Sequence, residues 1–123
     1  MAAPRVTTAP TDIPHVTDEQ MHELLGRSRP YTAMLLRLTD KAAEPGAEQI
    51  VWEHGRRNIA LRGQGTLPIV CPATDDSDWA GVGIFAATPD EVDRIMSDDP
   101  GVKAGVFTYE LHPVFGFPGS TLL

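Results

Sequence analysis

Two segments of helical period are set among four strand-like runs between Tyr31 and His112, and that order leaves few folds open. The first run, Tyr31 to Thr39 (YTAMLLRLT), is apolar nearly throughout, which predicts a strand covered on both faces. From about Ala47 to Arg62 the apolar stripe is Ala47, Ile50, Val51, His54, Asn58 and Leu61, which is helical spacing. Glu48, Glu53, Arg56, Arg57 and Arg62 lie mostly off that stripe, and Gly63 and Gly65 stop the helix. Thr66 to Cys71 reads as a short strand that Pro68 demotes to an edge or bulged position. Ala80 to Ala87 is a strand of small residues. Thr88 to Glu91 (TPDE) has capping-box spacing with Pro89 at the first helical position. Its helix runs through Val92, Ile95 and Met96 and stops before Asp99–Pro100. Ala104 to His112 is the last strand, and Pro113 to Leu123 reads as a loop-like tail.

The order β-α-β-β-α-β in about 85 residues is the split-βαβ, or ferredoxin-like, pattern. The expected fold is α+β, with a four-stranded antiparallel sheet and both helices on one face. The other face of such a sheet is bare, and a second copy of the chain can cover it, so a homodimer is the expected state. Ahead of this domain, residues 1–16 carry three prolines and no period, which predicts an extended arm. Thr17 and Gln20 then have capping-box spacing, and Met21, Leu24 and Leu25 form an apolar stripe that Gly26 and Pro30 end. The chain thus divides into an extension, 1–30, and a main domain, 31–123.

Charge and composition narrow the partners. Seventeen acidic against ten basic residues give a formal net charge of −7, which disfavours nucleic acid, whose phosphates need clustered Lys and Arg. The single cysteine, Cys71, excludes an internal disulfide and a cysteine-built zinc site. No apolar run approaches the roughly 20 residues of a membrane span. Met1 to Pro14 lacks the apolar centre of a signal peptide, so the expectation is a cytoplasmic protein with no membrane partner.

Several side chains are candidates for chemistry. His54 sits on the core-facing side of the long helix, where an imidazole can move a proton near neutral pH; the same spacing also fits a core histidine bonded to a carbonyl. Asp98 and Asp99 follow the second helix, where its dipole disfavours an anion. A carboxylate there can orient a histidine, or it can be a turn aspartate that accepts from the following amides. On the last strand Val106, Thr108, Glu110 and His112 share one face, and Phe107, Tyr109 and Leu111 the other. Glu110 and His112 fit either a polar pocket or the wet end of a strand. Arg37 interrupts an apolar strand and needs a partner such as Glu110 or an anionic ligand, unless it snorkels to the surface. His15 and His22 do not have the spacing of a shared metal site. Asp75, Asp76 and Asp78 lack the glycine and closing glutamate of a calcium loop. Gly81-Val82-Gly83 lacks a third glycine and lies within a strand, and Cys71 reads as a small buried apolar residue.

Read together, His54, Gly65 eleven residues later, Leu67, Pro72, Asp99-Pro100, Val102, Ala104-Gly105-Val106 and Pro113 form an ordered series. Over roughly residues 31–117 it resembles the YciI-like family (the YCII-related domain). Cys71 stands where that family's Gly-Pro has its glycine. The resemblance implies a dimeric α+β barrel of ferredoxin-like subunits, and a His–Asp pair, His54 and Asp99, as the active site. The expected activity is cofactor-free acid–base chemistry of lyase, isomerase or cyclase type on a small organic substrate. Arg37, Tyr109, Glu110 and His112 are the candidate substrate-binding residues, with neither metal nor cofactor expected. The alternatives are a non-catalytic dimeric binding or accessory module and a cofactor-independent oxygenase.

Overall fold

The computed structural model describes residues 12–123. The proline-rich arm expected over residues 1–16 falls mostly outside them. The first element is α1 (Asp18–Gly26), and its capping box is formed: Gln20 N donates to Thr17 Oγ1, and Thr17 N to Gln20 Oε1. No residue of α1 is buried, and Met21, Leu24 and Leu25 are exposed.

A four-stranded antiparallel sheet follows, in the order β2-β3-β1-β4. Its strands are β1 (Arg29–Leu38), β2 (Ile69–Pro72), β3 (Trp79–Phe85) and β4 (Phe107–Gly116). The helices are α2 (Ala47–Gly63), α3 (Pro89–Ser97) and α4 (Pro100–Lys103), with a 3-10 turn, Asp40–Ala43, after β1. The chain therefore folds as the ferredoxin-like α+β unit, with helices on one side of the sheet.

β1 is central, with β3 on one side and β4 on the other. Its alternate residues Thr32, Met34 and Leu36 are buried beneath the helices. Met34 and Leu36 pack with Phe85, Val92, Met96 and Phe107 in the core, and Thr32 Oγ1 donates to Ala87 O. Ala33, Leu35 and Arg37 face the other way and are only half-buried, so the covering expected on both faces of β1 is present on one.

Three boundaries differ from the sequence pattern by three residues or more, each for a local reason. β2 begins at Ile69 rather than Thr66, because the Thr66 and Leu67 amides both turn back to Leu61 O and close α2. β4 begins at Phe107 rather than Ala104, because the Gly105 and Val106 amides bond back to Val102 and Gly101. β4 also runs on through Pro113 to Gly116, which was expected to be loop. A proline is tolerated there because β4 is an edge strand.

Candidate active site

His54 lies on the inward stripe of α2, and Asp99 follows the last turn of α3. The two are 45 positions apart in sequence and in direct contact: His54 Nδ1 lies 2.9 Å from Asp99 Oδ1 and 2.9 Å from Oδ2. Both are buried; Asp99 is 0% exposed and His54 6%. The Phe107 ring covers the imidazole, with centroids 4.4 Å apart and planes at 45°.

The helix dipole at Asp99 is the opposite of the one expected. Asp99 does follow α3, but it is also the N-cap of α4, with Pro100 in the first turn. Gly101 N donates to Oδ2 at 2.9 Å and Val102 N at 3.2 Å. The carboxylate thus sits at a helix start, where unpaired amides favour an anion. Burial by itself pushes the Asp99 carboxyl up. The hydrogen bond and charge of His54, with the amides of Val102 and Gly101, outweigh it and leave the group below its ordinary value. An ionised Asp99 can only accept, so Nδ1 of His54 carries the proton between them.

Two neighbours of this pair were not singled out from the sequence as site residues. Asn58 Nδ2 lies 3.1 Å from the other ring nitrogen, His54 Nε2. Its signal was the spacing itself, since residues four apart on a helix are neighbours. Arg57 was expected mostly off the inward stripe, yet its guanidinium bends back until Nη1 is 3.8 Å from Asp99 Oδ1. That distance allows charge interaction without a hydrogen bond. Among the described residues, Asn58 Oδ1 and Arg57 Nη1 are buried with no hydrogen-bond partner.

A cavity of about 760 Å³ opens between α2 and the β2–β3 side of the sheet. Its apolar walls include Met34, Leu36, Val51, Trp52, Val70 and Trp79, and His54 and Asn58 also line it. Such a space fits a small organic molecule.

The four expected substrate-binding residues are elsewhere. Arg37 lies on the open sheet face, with its guanidinium 4.0 Å from the centre of the Trp79 ring rather than against Glu110. The register explains this: Arg37 faces Thr108 on β4, while Glu110 faces Leu35. Glu110 and His112 share the open face, exposed and paired with each other at 3.2 Å. Tyr109 is on the helix side but ties β4 to α3, donating to Asp93 Oδ1. Burial, then the Asp93 hydrogen bond, pushes its phenol up, so it stays a donor. None of the four lines the cavity with His54.

Among the described residues, no group of three or more His, Cys, Asp or Glu side chains is arranged to hold a metal ion. None of their helices is long and apolar enough to cross a membrane.

No protein-family model matches the chain, and no curated protein does. Among solved structures the chain is similar to 5-chloro-2-hydroxyhydroquinone dehydrochlorinase (TftG) from Burkholderia phenoliruptrix AC1100, in complex with 2,5-dihydroxybenzoquinone. The two are 22% identical with a TM-score of 0.45, over 67% of this chain and 90% of that one.

Proposed function

We propose that the chain is an acid–base enzyme that moves a proton on a small, largely apolar organic substrate, with His54 as base and Asp99 as its orienting carboxylate. One observation carries the reading: a buried His–Asp pair whose imidazole lines an apolar cavity of about 760 Å³. Asp99 accepts from Nδ1–H, which leaves the Nε2 lone pair as the basic site. A ligand entering the cavity presents a C–H beside a carbonyl, or a phenol O–H, to Nε2 as the Asn58 amide turns its nitrogen away. Proton uptake makes an imidazolium that the Asp99 charge stabilises. A base positioned in this way contributes on the order of 10²–10⁴-fold. The motif resemblance to the YciI-like family supports the same two residues. The open sheet face, apolar at Ala33, Leu35, Val82 and Ile84, supports a homodimer.

The test uses small carbonyl compounds and phenols in D₂O, with hydrogen NMR following exchange of their C–H protons. The expected result is exchange with the native chain and its loss in His54→Ala, while ligand signals still broaden on binding. Unchanged exchange in His54→Ala overturns the reading.

A second reading is favoured by the capping bonds of Asp99. In it the chain binds a ligand without turning it over, and the His–Asp contact only fastens α2 to α4. It expects His54→Ala to lower the melting temperature sharply and ligand binding to occur with no proton exchange.

A further inference from the structure

Asn58 is 6% exposed, lies one turn after His54, and places an amide on the only ring nitrogen that Asp99 leaves open. An amide can meet that nitrogen in two ways. With Nδ2 toward Nε2 it donates to a lone pair, which requires a singly protonated ring. With Oδ1 toward Nε2 it accepts, which requires an N–H there. The amide nitrogen faces the ring, and Oδ1 is buried on the far side with no partner. A buried acceptor left unpaired costs about 1–3 kcal/mol, so little holds the amide in this orientation beyond its bond to His54.

We propose that Asn58 is the positioning residue of the pair: its amide holds His54 in the Nδ1–H form at rest and turns over to accept from Nε2–H when the ring gains a proton. This deepens the proposed proton transfer and rests on it. The imidazolium formed in that step would otherwise point its new N–H at an N–H. Turning about the side-chain bond replaces that repulsion with a hydrogen bond to Oδ1. The helix keeps the two residues at this spacing throughout.

The charged groups near the ring come from two elements. Asp99 reaches it from the α3–α4 junction, and Arg57 approaches Asp99 from α2 itself. β4 packs against the ring with the uncharged Phe107.

The test reads the imidazole nitrogens of the ¹⁵N-labelled full chain by long-range NMR from about pH 5 to 9. The chain has four histidines, and the His54 signals are those missing from His54→Gln. Neutral His54 is expected to be protonated at Nδ1 and bare at Nε2. Asn58→Asp offers only an acceptor, so the His54 midpoint should rise by about one to three pH units. Asn58→Leu removes both bonds, and the one to the protonated ring is the stronger because it is charge-assisted, so the His54 midpoint should fall. A neutral ring protonated at Nε2 overturns the proposal. A His54 midpoint in Asn58→Leu at or above the native one also overturns it, whether or not Asn58→Asp folds. A merely structural asparagine would lower the melting temperature of Asn58→Leu and leave that midpoint in place. These spectra need no substrate. Their failure removes the role of Asn58 alone, whereas the expected spectra without proton exchange remove the proposed reaction alone.

Discussion

The Asp99 carboxylate accepts from two amides of α4 on one side and from the His54 ring on the other. One side chain therefore caps a helix and fixes a tautomer, and replacing it disturbs both. Asp99→Asn keeps an acceptor for the α4 amides but loses the charge. It should destabilise the fold by about 1–3 kcal/mol, as expected for a buried hydrogen bond to a charged group. The pH dependence has a definite sign. The native carboxyl holds its proton less tightly than the unfolded one, which titrates near 3.9. The unfolded chain therefore binds more protons between the two values, and stability falls as pH drops through that window. Above about pH 4 to 5 the contribution is complete. Urea unfolding at a series of acid pH values should show this slope in the native chain and a shallower one in Asp99→Asn. Equal slopes would mean that Asp99 does not titrate below its ordinary value.

The short element α4 sets where that carboxylate sits. A Cβ on Gly101 would collide with the Phe107 ring, the ring that also covers His54. Gly101→Ala should therefore cost about 1–3 kcal/mol through overpacking and shift the His54 ring resonances. A variant that melts like the native chain, with His54 unmoved, would contradict this packing. The same element shows where sequence reading reached and where it stopped. Long periods were legible: the stripe from Ala47 to Leu61 predicted α2 and put His54 on its inward side. The TPDE capping box marked the start of α3, and Thr88 Oγ1 accepts from Glu91 N. A four-residue helix has no period to detect. Asp99–Pro100 was read as a stop, although Asp at an N-cap followed by Pro is equally a start. The His54–Asp99 contact depends on α2 packing against α4, which local spacing does not encode; only the motif resemblance pointed to it. Tyr109, Glu110 and His112 show the converse limit. Alternation gave their faces correctly, but it does not say which face carries the cavity.

At the scale of the molecule, the sheet has one covered face and one open face. Val82 is 44% exposed at the middle of the open face, beside Leu35 on β1 and Cys71 on β2. Exposed Glu110 and His112 on β4 form a polar border to it. An apolar centre with a polar edge has the composition of an interface between subunits. A second copy is the proposed occupant, since a two-fold dimer sets the same face of each chain against the other. A stable contact of this kind removes about 800 Å² from each partner. The native chain should therefore sediment as two chains rather than as a 13.3 kDa particle. Val82→Glu places a charge at the centre of that face without entering the helix-side core, because Val82 pairs in register with the outward Leu35. It should convert the dimer to a folded monomer with unchanged circular dichroism. The His–Asp contact lies on the helix side of the sheet and within one chain, so the monomer should keep it, with His54 still protonated at Nδ1, although Val82 also borders the cavity. A native chain that sediments as a monomer would leave the open face without its proposed occupant, and loss of fold in Val82→Glu would mean that this side chain belongs to the core.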